Sequence, residues 1–245
     1  MDFYKTLIPF DIFLEGEPIK IDMVYKNADH PRNMFKSSIY HPDARCWGHK
    51  DICAISLLAA RLIKKRHNWI LEIKDCLRTS DSQAAMAESD IAKANPQWAN
   101  PPRLLAPPGK GAHPRAMAID VCPLYSDGSQ VNMGTPFDWL EASSARDYTD
   151  LHDDHLENRE NLETAFIQSA KFLKQDFIPY SAEWWDYRYT NEFYTQFDAL
   201  EDAILPPQMQ MTNKIDNNID DLPLSHFEKL AEEIRSLIHN ADESL

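Results

Sequence analysis

Hydrophobic residues recur at helical spacing in three segments of the chain. The clearest covers residues 51–67, where apolar side chains three and four positions apart are separated by Arg and Lys. The same spacing recurs over 157–175 and over 225–239, and the last segment starts with the Ser and Glu of a capping box. Alanine and charged residues favour a further helix over 80–94. The pattern therefore predicts four helices.

Alternating apolar and polar residues predict strands between these helices. The alternation is clear over 69–76, residues 116–122 are a second strand candidate, and residues 181–189 form an aromatic-rich candidate. The turn sequence at residues 127–129 predicts a hairpin with residues 130–133. Helices and strands mixed in this order indicate an α+β fold.

The composition changes after residue 205. Residues 1–205 hold most of the periodic segments and are predicted to form one domain, whereas residues 206–224 are polar and rich in Asn and Pro. We expect that stretch to be a linker leading into a C-terminal helix over 225–245. With 245 residues, 43% of them hydrophobic, the chain is long enough to bury one core. Five prolines between residues 95 and 111 predict a rigid surface connection.

Acidic residues outnumber basic ones by 39 to 25, which gives a net charge of −14. Such a surface argues against general binding to nucleic acids or anionic membranes. No run approaches the roughly 18 apolar residues of a membrane span, and the N-terminus lacks the regions of a signal peptide. We therefore expect a cytoplasmic protein, or a periplasmic one if the sequence is a trimmed mature form. The four Cys residues form no CxxC pair, which predicts buried reduced thiols.

Two short segments carry side chains suited to a metal-dependent hydrolase. His113 precedes the predicted strand 116–122 and Asp120 lies within it, and both residue types are competent zinc ligands. Glu183 and Asp186 flank two Trp residues, and a bulge or a strand end would bring both acids to one cavity. A hydrolytic zinc site needs three ligands, an open position for water and a general base. The candidate ligands are His113, Asp120 and Asp186, with Glu183 as the candidate base.

The order of these residues resembles that of the zinc D-alanyl-D-alanine dipeptidases of the vancomycin-resistance type. The motifs of that family are Ser-x-His-x-x-Gly-x-Ala-x-Asp and Glu-x-Trp-His, and residues 111–120 and 183–186 are similar to them in order and spacing. The family also carries Met-Gly-Thr-Pro-Phe-Asp, which stands unchanged at residues 133–138. The Asn-Arg pair at 158–159 and the Asp-x-x-Arg of residues 75–78 are similar to further family motifs. The resemblance covers about residues 45–190.

The resemblance implies a small antiparallel sheet flanked by helices and one bound Zn²⁺ ion. It also implies that His113, Asp120 and Asp186 bind the metal and that Glu183 is the general base. Arg78 would bind the oxyanion that develops on the substrate carbonyl, where a guanidinium matches the growing negative charge. The implied activity is hydrolysis of D-Ala-D-Ala or a similar small peptide.

Several positions depart from the family motifs. Asp186 stands where the family has its third ligand, a His. A carboxylate also binds zinc, but it makes the ligand set less positive and shifts the metal preference toward Mn²⁺ and other ions that favour oxygen. The remaining departures are Gly111 for the motif Ser, Ala116 for the motif Gly, and Leu77 and Thr79 for the Tyr and Pro beside Arg78.

Two other functions stay open from the sequence. One is a D,D- or L,D-carboxypeptidase acting on peptidoglycan fragments, which would prefer long stem peptides to a free dipeptide. The other is a catalytically degenerate relative that binds a peptide without turnover, which predicts no bound metal or metal without hydrolysis. All three functions have a small peptide as the partner, and the oligomeric state stays open.

Overall fold

The computed structural model describes residues 2–100 and 105–242. In this part of the chain the helices are α1 (Lys50–His67), α2 (Ser80–Ala87), α3 (Asp90–Ala94), α4 (Asp153–Phe172), α5 (Asn191–Tyr194) and α6 (Leu224–Asp242). The strands are β1 (Leu7–Pro9), β2 (Ile19–Ile21), β3 (Trp47–His49), β4 (Ile70–Asp75), β5 (Ala118–Leu124), β6 (Phe177–Pro179) and β7 (Asp186–Tyr189). The predicted α+β class is confirmed.

Five of the strands form one sheet in the order β2-β4-β5-β7-β6, and β1 pairs with β3 separately. Strand β2 runs parallel to β4, and the other neighbours are antiparallel. The register places Asp120 of β5 opposite Asp75 of β4 on one side and opposite Asp186 of β7 on the other. A register shift between Ile73 and Asp75 marks a bulge in β4 just before this pairing. Three aspartates thus lie side by side across three strands, and we call Asp75, Asp120 and Asp186 the aspartate row.

Helix α1 is the central helix of the core, and the helix predicted over 51–67 is thereby confirmed. The side chain of His49 caps it by accepting a hydrogen bond from the Asp51 amide. It ends at Asn68, whose φ of 57° lies in the left-handed region typical of helix C-termini. Eleven of its 18 side chains are buried, because α4, α6 and the strands β1, β3 and β4 pack around it.

The helix predicted over 80–94 is two helices in the structure. Ser89 interrupts the run because its hydroxyl accepts a hydrogen bond from the Ala92 amide and caps a second helix. This is the ordinary behaviour of a Ser that competes with the helical hydrogen bonds.

The strand predicted over 181–189 starts only at Asp186, and the residues before it form turns. Carbonyl groups in these turns bind a buried Arg side chain instead of a neighbouring strand. The hairpin predicted for 130–133 is reduced to one bridge between Leu124 and Gln130. Residues 101–104 of the predicted proline-rich connection lie outside the described residues.

Hydrogen bonds and apolar packing join the C-terminal part of the chain to the core. Buried Asp202 accepts hydrogen bonds from the amides of residues 211–213. Helix α6 packs against α1 and places Phe227 beside Trp47. The helix predicted from residue 225 corresponds to α6. The division into a domain over 1–205, a linker over 206–224 and a helix over 225–245 stays a prediction, and residues 243–245 lie outside the described part.

All four cysteines are buried and unpaired, as their spacing predicted. Burial raises the pKa of each thiol, so all four stay protonated at neutral pH. Over the described residues, no helix has the combined length and apolar character that crossing a bilayer requires.

Candidate metal centre

A small cavity of about 70 Å³ lies beside the aspartate row. Acidic and basic side chains both face it, and the wall includes Lys110, Asp138 and Arg188 in addition to the residues predicted from the sequence. The five predicted site residues all line this cavity. They are Arg78, His113, Asp120, Glu183 and Asp186.

His113 is held by a short 3-10 turn, His113–Arg115, just before β5. Gly111 precedes the turn with a φ of 85°, and Arg115 fixes the segment by donating to the Gly111 carbonyl. After the turn, Ala116 has a φ of 50°. This left-handed conformation is easy for the Gly of the family motif and strained for Ala. The sharp turn aims the imidazole into the cavity.

The two ring nitrogens of His113 have different partners. Nδ1 lies 2.8 Å from the carbonyl oxygen of Cys76, and because a carbonyl only accepts, Nδ1 carries a proton. Nε2 therefore faces the aspartate row, 3.4 Å from Oδ1 of Asp120 and 3.5 Å from Oδ2 of Asp186. A His whose outer nitrogen donates to a carbonyl is the usual arrangement of a metal-binding imidazole.

These two distances fit a tetrahedral metal site. Two ligand atoms bonded at about 2.1 Å to a tetrahedral ion lie about 3.4 Å apart. The separations of 3.4 and 3.5 Å around Nε2 match that edge length. Asp120 also fits, since its buried Oδ1 has no hydrogen-bond partner among the described residues. A buried carboxylate oxygen without a donor is costly unless a cation satisfies it.

Asp75 is the third carboxylate close to this point, because donor atoms of Asp75, His113 and Asp120 lie within 4.8 Å of one another. Its oxygens already have several donors, however. Oδ1 accepts from Tyr40 at 2.7 Å and from the Cys76 amide at 2.9 Å. Oδ2 accepts from Nε of Arg78 at 2.8 Å. Asp75 would have to give up one of these hydrogen bonds in order to bind a metal.

Asp186 is bound to Arg188 on the opposite side of the cavity. Nε of Arg188 donates to Oδ1 of Asp186 at 2.8 Å, and Nη2 forms a short ion pair with Oδ2. The guanidinium also stacks on Tyr180, 3.7 Å from the ring centre. Burial alone would raise the pKa of Asp186, but Arg188 and His113 together outweigh burial and lower it. Asp186 is therefore ionised, and its oxygen nearest to His113 is shared with Arg188.

Glu183 lies in the turn that precedes β7, and within the described chain its carboxylate has no hydrogen-bond or ion-pair partner. Arg146 holds this turn in place. Its guanidinium donates to the carbonyl oxygens of Tyr180, Trp184 and Asp186 at 2.8 to 3.0 Å. A single buried side chain thus fixes the backbone on both sides of Glu183.

Arg78 lies across the first two aspartates of the row. Nη2 is 2.7 Å from Oδ2 of Asp75 and 3.1 Å from Oδ2 of Asp120. Burial would lower the pKa of Arg78, but Asp75 and the other acidic groups around the guanidinium together outweigh burial and raise it. The guanidinium is therefore a permanent positive charge on the cavity wall.

The site is electrically balanced without a metal ion when His113 is protonated. Burial and Arg78 disfavour the imidazolium, but Asp120 and Asp186 together outweigh them and raise the pKa of His113 to about 10. Three positive groups, namely Arg78, Arg188 and protonated His113, then face the three carboxylates of the aspartate row. The proton on Nε2 takes the place that a divalent cation would occupy between the carboxylates.

Two further acids on the wall hold protons more tightly than usual. Burial, together with the charges of Asp186 and Asp120, raises the pKa of Glu183 to about 8. Burial also raises the pKa of Asp138 to about 6, against the effect of a 2.8 Å hydrogen bond from Tyr25. A cation in the cavity would lower both values, because an opposite charge favours the ionised acid.

The sequence interpretation missed the contributions of Asp75, Arg146 and Arg188. The contribution of Arg188 could have been predicted from the sequence, since residues two apart on a strand share a face and Asp186 lies two positions before it. The sequence shows Asp75 only as part of the Asp-x-x-Arg motif, because its place in the aspartate row depends on strand register. Arg146 had no signal, because its partners are backbone carbonyls distant in sequence.

The mixed sheet of this α+β protein gathers an imidazole and buried carboxylates around a small cavity, which is the composition of a metal site. The sequence model of the family described as D-ala-D-ala dipeptidase (Peptidase_M15) matches residues 11–202, and the chain belongs to this family. No curated protein matches the chain. The match confirms the resemblance to the zinc dipeptidases and begins well before residue 45, where the motifs had placed its start.

Proposed function

We propose that the protein hydrolyses the peptide bond of D-Ala-D-Ala or a similar small peptide at a metal held by His113, Asp120 and Asp186. The observation that carries the proposal is the position of Nε2 of His113, at tetrahedral-edge distance from both carboxylates. Asp186 is preferred to Asp75 as the third ligand because Asp75 already has a full set of hydrogen-bond donors. A site of one imidazole and two carboxylates suits Zn²⁺ and also accepts Mn²⁺.

A bound divalent cation would supply Lewis-acid chemistry, polarising the substrate carbonyl and making water more acidic. Glu183 is the proposed general base. Its carboxylate lines the same cavity and has no competing partner in the described chain, so it is free to accept a proton from water. It then passes that proton to the nitrogen of the leaving amine.

Arg78 is proposed to bind the oxygen on which negative charge develops. Its guanidinium lines the cavity while Asp75 and Asp120 fix its orientation. Preorganised donors of this kind act only when charge appears in the transition state, so they raise the rate rather than the affinity for substrate. The 70 Å³ cavity favours a small substrate over a bulky one.

The test combines metal analysis with D-alanine release from D-Ala-D-Ala, for the wild type and for Glu183→Gln. We expect close to one bound ion in both proteins and a rate in the variant that is about 10²- to 10⁴-fold lower, as for loss of a general base. Glu160→Gln, an exposed substitution on α4, is the matched control and retains the wild-type rate.

Other outcomes of this test point to specific alternatives. Bound metal without D-alanine release from the wild type would overturn the dipeptidase assignment and direct the search to longer peptidoglycan peptides. No bound metal and no release, with Zn²⁺ and Mn²⁺ both supplied, would leave a peptide-binding relative without catalysis.

A further inference from the structure

We propose that Arg188 competes with the metal ion for Asp186, so that this carboxylate is a switchable ligand. The inference rests on the proposed function, because it concerns the metal site of that proposal. It assigns to Arg188 a control over metal affinity, separate from any role in binding the substrate.

The competition follows from the position of one oxygen atom. Oδ2 of Asp186 lies 3.5 Å from Nε2 of His113 and is also paired with Nη2 of Arg188. A metal ion bonded to Nε2 and Oδ2 would lie between these atoms and close to the guanidinium. Since both are cations, they cannot share Oδ2 without strong repulsion.

Asp186 needs one of the two cations. Its side chain is 1% exposed, and a buried carboxylate without a partner is strongly destabilising. Arg188 provides a two-point ion pair, and its stacking on Tyr180 holds the guanidinium at the carboxylate. The same ion pair makes Asp186 a poorer metal ligand, because its negative charge is already neutralised.

Arg78 and Asp75 form a similar pair that lacks this property. Asp75 keeps Tyr40 and the Cys76 amide as donors whatever Arg78 does. Asp186 has only Arg188 and the His113 ring as side-chain partners in the described chain. The competition therefore concentrates at Asp186.

The experiment measures metal affinity rather than activity. Chelator-treated wild type, Arg188→Met and Arg188→Lys are titrated with Zn²⁺ by calorimetry. We expect Arg188→Met to bind on the order of tenfold more tightly than the wild type, a size typical of groups that act on a ligand from outside the metal. Arg188→Lys, which keeps the charge but loses the two-point pairing, should fall between them.

Arg61→Met is the matched control, because Arg61 forms a comparable two-point ion pair with Glu17 outside the cavity. It should leave the Zn²⁺ affinity unchanged. In thermal melts, Arg188→Met should lose stability when metal-free, since Asp186 then keeps only His113 as an ion-pair partner, and should gain more than the wild type when Zn²⁺ is added.

A second pair of variants separates competition from simple charge repulsion. In an Asp186→Asn background, adding Arg188→Met should no longer tighten Zn²⁺ binding. Equally tighter Zn²⁺ binding in that background would show that Arg188 acts only through its charge. Unchanged or weaker Zn²⁺ binding by the single variant Arg188→Met would show that Arg188 orients Asp186. Either result overturns the inference. Absence of Zn²⁺ binding by every protein would overturn the metal site as well.

Discussion

The two sides of the cavity hold their acidic groups in different ways. On the β4–β5 side, Arg78 bridges Asp75 and Asp120, and Tyr40 adds a further hydrogen bond. On the β7 side, Asp186 has Arg188 as its ion-pair partner, and the carboxylate of Glu183 has none within the described residues. The first side is fixed by a network, whereas the second depends on the ion pairs of Asp186 with Arg188 and His113 and on a turn.

This difference indicates which side of the cavity can accept a different residue. Asp186, the proposed ligand that departs from the family pattern, lies on the side with the simpler set of contacts. His113 and Asp120, which match the pattern, form hydrogen bonds with Cys76 and Arg78 in the segment that follows β4. A site of this kind is preorganised on one side and adjustable on the other, so substitutions on the two sides should differ in their effects.

The largest expected effect compares one ligand from each side. His113→Ala should lower Zn²⁺ affinity at least about 100-fold, because losing a direct ligand costs more than the 10- to 100-fold typical of an outer-shell partner. Asp186→Asn should cost only about tenfold, since the wild-type carboxylate must first be released from Arg188. Equal losses in calorimetric titrations would show that the two sides contribute alike.

A smaller effect is expected at the turn that carries Glu183. Arg146→Met leaves the buried carbonyl group of Trp184 without a donor and removes one of two donors from the carbonyl groups of Tyr180 and Asp186, which should cost about 1–3 kcal/mol in the free energy of unfolding. We also expect kcat to fall about 10- to 100-fold at unchanged metal affinity, since displacement of a catalytic group slows chemistry. Arg146→Lys should recover part of kcat.

The control for Arg146 is Arg159→Met. Arg159 also donates to three backbone carbonyls, those of Met133, Ser143 and Ala145, but to none in the turn that carries Glu183. It should therefore lose comparable stability in urea titrations and retain more of kcat. A similar kcat for the two Met variants would count against a positioning role for Arg146.

The smallest effect is a pH dependence at Asp138, which faces the cavity between the two sides. Burial raises its pKa to about 6, so the folded protein holds this proton more tightly than the unfolded chain. Its stabilising contribution is present below about pH 4 and is lost as the pH rises toward 6. In Asp138→Asn this side chain does not ionise, so the variant does not lose this stability as the pH rises. Asn also tolerates the φ of 60° at this position.

Asp138→Asn should therefore be more stable than the wild type above pH 6, by on the order of 1 kcal/mol because the side chain is only partly buried. The two proteins should converge below about pH 4. Urea unfolding of metal-free protein across this range measures the difference, and a constant difference at all pH values would contradict the assignment.

Regular elements with a single strong signal were predictable from the sequence. The helix over 51–67 needed only its apolar spacing and β4 only its alternation, and β5 was predicted from a short, mostly apolar run. The strand expected over 181–189 failed in its first half because aromatic residues favour burial in turns as much as in strands. There Arg146 supplies the hydrogen bonds that a neighbouring strand would have supplied.

The site was predictable as a set of residues but not as an electrostatic unit. Family motifs identify His113, Asp120 and Glu183 as candidate site residues, and all three line one cavity. The aspartate row depends on the register of three strands and on the bulge before Asp75, which no local pattern encodes. The partners of each carboxylate follow only once that register is known.

The packing of α6 determines when the core is completed during synthesis. Among the described elements this helix is made last, yet it packs against α1 and β1, which are made early. His226 at its start lies 2.9 Å from the carbonyl oxygen of Lys5. Because a chain emerges from the ribosome N-terminus first, one apolar face of α1 stays uncovered until α6 emerges. Exposed apolar surface of this kind is what makes incompletely folded chains prone to aggregate.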